Sequence, residues 1–251
     1  GQRSHSSAEY LRSALKRANL AIERQAHARR LLVDEDGRVS GVEVMQHGRL
    51  KSFEARREVI LSAGAIHSPA ILQRSGIGPR AVLDGLGIAT VAERPVGEHL
   101  LDHPILGLML ELRDDARVST LMHRHTNCCL RYSSELAGAG VNDMIMIAGN
   151  LRPEEDGGTA RARLAVSAFQ AFSEGTVRIT SRDPSLDPQV DERMLSDESD
   201  LLRMRDGVRR MRDLAVERLS QVPGVSLRAP EGTFVLFPDV SALGVPAEPP
   251  A

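Results

Sequence analysis

The sequence predicts a mixed fold, α/β in its first part and α+β in its second. Two short β-rich runs flank an Asp-Gly pair at 36–37, which is typical of a hairpin. An apolar run at 58–64 ends in small residues and leads into a helical stretch, which is typical of a buried parallel strand. Short strands separated by loops fill residues 105–181, and they favour an antiparallel sheet over further βαβ units.

The N-terminal part begins with a predicted helix and continues as two hairpins. Apolar residues at helical spacing predict a helix over 7–19. Strands are predicted over 28–33 and 39–45, with the turn at 34–37 between them, and His47-Gly48 predicts a second turn.

Two helices are expected after the apolar run. Ser68 is the predicted N-cap of the first, with Pro69 at its first helical position, and the helix should end before a tight loop at 75–78. The second should cover 80–86 and end at Gly87 in the left-handed conformation.

The rest of the chain is predicted as strands, a long helix and a tail. Apolar residues near a 3.6-residue period predict a helix from Ser196, and the Pro-rich stretch 245–250 should be extended or disordered. The predicted strands are 105–112, 128–132, 144–147, 164–172 and 175–180.

Composition excludes several classes of protein. The 32 Lys and Arg against 34 Asp and Glu give a net charge of −2, which argues against a general polyanion binder. Five Phe, two Tyr and no Trp leave too few aromatic rings for a platform that stacks single-stranded nucleic acid. No apolar run approaches the roughly 18 residues of a membrane span, and no apolar run follows the N-terminus, so a cytoplasmic location is expected.

The two cysteines are adjacent and exclude a disulfide scaffold. Cys128 and Cys129, with His123 and His125, also form a possible soft-metal cluster. Structural zinc sites space their cysteines further apart, and adjacent cysteines on a strand point to opposite faces. We therefore expect no metal site, and a polar loop entering a strand instead.

Residues 58–79 form the most informative segment for function. Gly64 and Ala65 allow the backbone to approach a ligand closely, and the start of a helix presents N–H groups to anionic oxygens. A plain tight turn between a strand and a helix explains the same residues, since Gly-rich turns are common. Both interpretations stay open at this point.

The same segment resembles a signature of the glucose–methanol–choline (GMC) oxidoreductase family. Residues 64–78 match the pattern Gly-Ala-x-x-Ser-Pro-x-Ile-Leu-x-x-Ser-Gly-Ile-Gly. Further motifs follow in family order: Pro-Val-Gly-Glu-His-Leu-Leu-Asp-His-Pro at 95–104, Asn-Asp-Met at 142–144 and Gly-Thr-Val-Arg-Ile-Thr-Ser-Arg-Asp-Pro at 175–184. The resemblance covers about residues 1–212.

The resemblance implies an FAD-dependent enzyme that oxidises a small alcohol by hydride transfer, of the choline-dehydrogenase type. It implies a partial FAD-binding domain over 1–103, a partial substrate domain with an antiparallel sheet and flanking helices over 104–212, and an atypical tail over 213–251. No nucleic acid or membrane span is expected among its partners.

The resemblance also assigns cofactor residues by position. Ala28 matches a backbone contact to the adenine, while His99 stands where the family usually has Asn, so that amide contact is not implied here. The full implied set is Ala28, Ser62, Ala63, Gly64, Val96, Asp102 and His103.

Two family features have no counterpart in the sequence: the N-terminal Gly-x-Gly-x-x-Gly beneath the pyrophosphate, and the C-terminal segment with the catalytic His that takes the alcohol proton. The catalytic residues are therefore unassigned. We expect a truncated enzyme that a complementary segment or a second copy completes, and the alternative is a non-catalytic remnant of such an enzyme.

The end of the chain departs from the family. Residues 212–245 resemble part of the small domain of a class I pyridoxal-phosphate aminotransferase, but they lack the context of the cofactor lysine. One hypothesis is a fusion or frameshift junction near 211–214. A transaminase-related product is the third functional hypothesis.

Overall fold

The computed structural model describes residues 5–121, 124–126, 128–152, 156–221, 226–227 and 238–239. The chain divides into two compact units. The first unit comprises Gly1–Gly97 and Val177–Val190, and the second comprises Glu98–Thr176 and Asp191–Ala251.

The first unit opens with a π-helical turn, Ser7–Leu11, which continues as the short helix α1, Arg12–Ala14. A three-stranded antiparallel sheet follows, with its strands in sequence order. The strands are β1 (Ala26–Val33), β2 (Val39–Gln46) and β3 (Arg49–Glu54).

Both predicted turns of this sheet are confirmed. The Asp34 carboxylate accepts a hydrogen bond of 2.8 Å from the Arg38 N–H, and Gly37 has a φ of +79°. His47 and Gly48 both have positive φ, 50° and 72°, as a two-residue turn between antiparallel strands requires. Short-range turn chemistry therefore determines the register of this sheet.

Helix α2 covers Gly64–Arg74, so it begins five residues before Pro69, the predicted first helical position. Ser68 is not its N-cap, since Ser68 and Pro69 both lie inside the helix. The Ser68 hydroxyl instead accepts a hydrogen bond of 3.0 Å from the Ala63 N–H, which lies just before the helix. Because proline lacks an N–H, Pro69, the sixth residue of α2, removes one backbone hydrogen bond from inside the helix.

The predicted buried strand over 58–64 is absent. Residues 58–62 adopt no regular structure, Gly64 belongs to α2, and the Ile60 side chain is 80% exposed. A buried parallel strand needs hydrogen-bonded neighbours, and no described strand pairs with this segment. An apolar composition alone cannot supply that pairing.

After α2 the first unit continues with short elements. These are β4 (Ile77–Gly78), α3 (Arg80–Gly85) and β5 (Ala92–Glu93), and β4 pairs with β5 in parallel. Gly87 has a φ of +63° just beyond α3, as predicted for the left-handed end of that helix.

The second unit contains a four-stranded antiparallel sheet, as predicted, although the predicted strand over 175–180 does not join it and forms only Thr176–Arg178. The order of its strands is β6-β9-β8-β7. The strands are β6 (Ile105–Glu111), β7 (Cys128–Tyr132), β8 (Met144–Gly149) and β9 (Arg161–Ala168).

The remaining described elements are two short antiparallel pairs and one long helix. They are β10 (Thr176–Arg178) with β11 (Gln189–Asp191), α4 (Glu198–Ser220), and β12 (Ser226–Leu227) with β13 (Pro238–Asp239). No described helix is both long enough and apolar enough to cross a membrane.

One face of the four-stranded sheet packs against α4 and forms a buried core. In a chain with few aromatic residues, flexible methionines fill much of this space. The buried members are Met144, Met146, Val166, Ala168, Met204 and Met211.

Candidate functional site

The start of α2 is open and exposed. Ser62, Ala63 and Gly64 are all exposed, and Gly64 has a φ of +87°. No heavy atom lies within 4 Å of the position that a Cβ on Gly64 would take. The first N–H groups of a helix have no partner within the helix, and they carry partial positive charge. This end of α2 can therefore receive anionic oxygens.

The other end of α2 is fixed by the buried side chain of Gln73. Its Nε2 donates hydrogen bonds to the carbonyls of Val96 (2.9 Å) and Val177 (2.8 Å), and its Oε1 accepts one from the Ile179 N–H (2.9 Å). One amide thus binds the loop before residue 97 and the segment after 176 to the helix. Sequence analysis missed this role, for which the only local signal is a polar residue in an apolar stretch.

Val96 is half-buried and precedes a glycine that the fold requires. Gly97 has a φ of +81°, and a Cβ there would lie 2.1 Å from the Val177 carbonyl oxygen. The Val177 N–H in turn donates a hydrogen bond of 2.7 Å to the Gly97 carbonyl. The Val-Gly loop is therefore held in one conformation, with Val96 at a defined place in the first unit.

Ala28 lies in β1, half-buried, and pairs with Val44 of β2. The register shifts directly after it, so that Arg30 pairs with Glu43 and Arg29 is the extra residue of a β-bulge. A bulge turns the side chain of its extra residue away from the regular alternation. The five predicted cofactor residues of the first unit thus lie in β1, at the start of α2 and in the Val-Gly loop.

Asp102 and His103 lie in the second unit and are both exposed. The Asp102 carboxylate accepts a hydrogen bond of 2.7 Å from the His103 N–H. The His103 ring stacks on the Phe169 ring, with ring centroids 4.6 Å apart and an angle of 5° between the ring planes. The Arg131 guanidinium carbon lies 4.4 Å from the centroid of the Phe169 ring. Sequence reasoning found His103 but missed Phe169 and Arg131, which come from distant parts of the chain.

His99, which replaces the usual Asn, has a partner of its own. Its Nδ1 lies 2.6 Å from a carboxylate oxygen of Glu174. A backbone bridge between Leu100 and Gly175 holds the two segments side by side. The substitution therefore places an exposed pair of titratable groups where the family has an amide.

The loop after β9 is held by a buried charge network on α4. Phe172 and Ser173 donate backbone hydrogen bonds to the Asp200 carboxylate. Arg203 is paired with Asp200 and, at 3.1 Å, with Asp143. This network fixes the loop that begins at Phe169, and hence the platform on which His103 stacks.

Hydrogen bonding outweighs burial at both carboxylates of this network. Burial alone would raise the pKa of Asp143, but hydrogen bonds from Ser134 and Arg203 lower it overall. For Asp200 burial is likewise opposed by bonds from Ser173, Phe172 and Arg203, and the pKa is lowered. Both carboxylates therefore stay charged, which suits a positioning role rather than proton transfer.

Tyr132 lies on the face of the four-stranded sheet that packs against α4, opposite the face to which Arg131 points. Its hydroxyl is buried without a hydrogen-bond partner among the described residues, and burial, together with the nearby Asp206 carboxylate, raises its pKa to about 12. Tyr132 pairs with Met144 of the core, whereas Arg131 points to the other face of the sheet. Tyr132 is therefore a packing residue and not a candidate acid.

The two cysteines of the possible metal cluster lie at the start of β7, and the expectation of no metal site stays a prediction. Cys128 and Cys129 are free and exposed, and consecutive strand residues point to opposite faces. No group of three metal-ligating side chains occurs among the described residues. His123 lies outside the described residues, so its part of the cluster stays a prediction.

Comparison with known families decides the assignment. Residues 1–105 match the family model for the N-terminal part of GMC oxidoreductases, and residues 171–235 match the model for the C-terminal part. The chain belongs to the GMC oxidoreductase family. The C-terminal match runs through much of the stretch that resembled an aminotransferase, a resemblance that no reported match supports. Helix α4 also runs unbroken through residues 211–214.

Similar GMC proteins are named for different substrates. The oxygen-dependent choline dehydrogenase of Chromohalobacter salexigens is 30% identical over 242 residues, covering 86% of this chain and 43% of that protein. The 5-(hydroxymethyl)furfural oxidase of a Methylovorus species is 35% identical over 206 residues, covering 80% and 37%. The crystal structure of pyridoxine 4-oxidase from Mesorbium loti superposes with a TM-score of 0.74 at 25% identity, covering 85% and 43%. The chain thus spans about two fifths of the length of these relatives.

Proposed function

We propose that this protein is an FAD-dependent oxidoreductase that acts on the CH–OH group of a small alcohol. The observation that carries the proposal is that both the N-terminal and C-terminal parts of the GMC description match, in family order. The relatives named above add support, since choline, hydroxymethylfurfural and pyridoxine, for which they are named, are all small alcohols.

The described residues of the first unit fit the cofactor. The open start of α2, with exposed Ser62 and Ala63 and with Gly64 at positive φ, suits a diphosphate group. A side chain at Gly64 would occupy the space that such a ligand needs. In this proposal Ala28 and Val96 lie at the adenine and at the flavin, as the family resemblance implies.

FAD, when bound, accepts a hydride from the carbinol carbon of the alcohol. The chain's own residues bind and orient the reactants. In this proposal His103, which the resemblance places near the flavin, is held by stacking on Phe169, and the Asp200–Arg203 network holds the loop that carries Phe169. The group that takes the alcohol proton is not assigned to any described residue.

The decisive experiment is anaerobic reduction of the flavin. The protein, purified in the presence of excess FAD and freed of unbound cofactor, is mixed with choline, hydroxymethylfurfural or pyridoxine while the flavin absorbance is followed. The proposal expects loss of the oxidised flavin spectrum with at least one alcohol. An acid with no hydroxyl group, such as acetate, is the matched control and should leave the spectrum unchanged.

Two results would overturn the proposal. A protein that folds but retains no flavin would contradict the cofactor assignment. A protein that retains flavin but is reduced by none of the three alcohols would favour the alternative, a non-catalytic module of a GMC enzyme.

A further inference from the structure

A polar cavity lies in the first unit, at the end of α2 remote from the proposed diphosphate position. Its volume is about 500 Å³, within the range of small-ligand sites. Its walls come from β1, the end of α2, the segment before β5 and the segment after β10. The charged side chains that line it are Arg29, Arg30, Arg74, Arg182 and Glu43.

Positive charge in this cavity exceeds the negative charge. Four guanidiniums face one carboxylate, which both Arg29 and Arg30 share at 2.9 and 3.2 Å. Burial, together with the neighbouring Arg29, lowers the pKa of Arg74. Arg29 and Arg74 also lower the pKa of nearby Asp183, although hydrogen bonds from Ser185 are the larger cause there. Glu43 and Asp183 together carry two negative charges, against four positive charges on the arginines.

The hydrogen-bonding capacity of the cluster is also unfilled. Arg29 Nε is buried and has no hydrogen-bond partner in the described part of the chain. Arg182 is exposed and forms no ion pair or hydrogen bond with any described residue. Unpaired buried donors are costly, so a site of this kind favours a ligand that accepts hydrogen bonds.

The backbone holds these side chains in place. Arg29 is the extra residue of the β1 bulge, and its carbonyl accepts a hydrogen bond of 3.0 Å from Arg74 Nε. Gly76, which also lines the cavity, has a φ of +80°, and a Cβ there would lie 2.4 Å from the Ala89 carbonyl oxygen. Constrained backbone therefore holds the Arg29 and Arg74 side of the cavity, whereas Arg30 and Arg182 lie on its exposed side.

We propose that this arginine cavity binds a small polyanion, a ligand with several phosphate or carboxylate oxygens. The planar guanidinium fork matches both groups. The cavity lies at the opposite end of the 11-residue helix α2 from Gly64, about 16 Å away along the helix axis, so it is distinct from the proposed diphosphate position. Arg29 directly follows Ala28, which the resemblance assigns to the adenine, and competition with FAD therefore belongs to the test. Neither the GMC assignment nor the proposed oxidation requires a ligand here.

The test is titration calorimetry at low salt on the FAD-loaded protein, with inorganic pyrophosphate and citrate as separate probes. Arg182→Gln is the test variant, since Arg182 supports no described backbone contact. Arg57→Gln is the matched control, an exposed arginine of the same unit that does not line the cavity. We expect saturable binding of at least one probe, weakened at least about tenfold by Arg182→Gln and unchanged by Arg57→Gln. The tighter probe then identifies the phosphate or the carboxylate class.

Three results would overturn the proposal. The first is that neither probe binds the folded protein. The second is that both variants weaken binding equally, which would indicate non-specific attraction. The third is that excess FAD displaces the probe from cofactor-free protein, which would place the anion at the flavin position. Thermal unfolding of each variant establishes that it is folded. Arg182→Glu provides a second variant, whose reversed charge should abolish binding.

Discussion

The buried Gln73 amide joins segments that are far apart in the sequence. Its hydrogen bonds reach across 23, 104 and 106 residues to the backbone of Val96, Val177 and Ile179. Such a contact cannot be predicted from local pattern, because α2 would form equally well with an apolar residue there. Its energetic role is open to direct measurement.

Replacing Gln73 with Met should destabilise the protein strongly. The change leaves two carbonyls and one N–H without a partner, and each costs about 1 kcal/mol or more when buried. We expect a loss of at least about 3 kcal/mol in the free energy of unfolding, measured by urea titration. Gln189→Met, at an exposed position, is the control. A loss below about 1 kcal/mol would contradict the buried hydrogen-bond network.

Arg203 presents a second single-residue prediction. It is 1% exposed and forms ion pairs with both Asp143 and Asp200. Arg203→Met leaves two buried carboxylates unpaired and should cost about 3–5 kcal/mol at neutral pH. Arg205→Met, an exposed change on the same helix, should cost little.

The pH dependence of this effect has a definite sign. In the native protein both carboxyl pKa values lie below the ordinary 3.8, so their stabilisation is present above that pH and is lost as the pH falls further. Without Arg203 burial dominates, and both pKa values should rise. The difference in stability between native protein and Arg203→Met should then shrink as the pH is lowered from 7 toward 4. A difference that is constant with pH would contradict this account.

At the scale of whole elements, local signals predicted some features and failed for others. The Asp-Gly and His-Gly turns fixed two hairpins, and alternation fixed the strands of the second unit, since both depend on neighbouring residues. The start of α2 was misplaced because Ser68-Pro69 is a typical helix start that here falls inside a helix. The strand over 58–64 failed because strand pairing depends on a partner, not on composition.

The contact between α4 and the sheet allows a test at this scale. A Cβ on Gly207 would lie 2.8 Å from Val166 Cγ2 and 3.0 Å from both Met144 Cε and the Tyr132 hydroxyl. Gly207→Ala should therefore destabilise the protein, although alanine favours a helix by about 1 kcal/mol. Gly85→Ala in α3, where a Cβ meets nothing within 4 Å, should be neutral or stabilising. Thermal unfolding distinguishes the two, and stabilisation by both changes would contradict the close approach of α4.

At the scale of the molecule, sequence reasoning was strongest where a motif is short and contiguous. The family signature over 64–78, together with the motifs on either side of it, was enough to predict a set of cofactor residues, which stay predictions. The Phe169 platform and the arginine cavity were not predicted, because their members come from different strands and loops. The net charge of the whole chain, −2, did not predict the cavity, because it hides a local excess of arginine.

The central claim is that the open start of α2 holds the FAD diphosphate, and a pair of glycine variants tests it. Gly64 and Gly37 have similar φ angles, 87° and 79°, and a Cβ at either meets nothing within 4 Å. Alanine at either position should therefore carry a similar backbone strain, about 1–2 kcal/mol. In fluorescence titrations with FAD we expect Gly64→Ala to weaken binding at least about tenfold, with Gly37→Ala close to the native protein. Equal affinity of the two variants for FAD would contradict the claim.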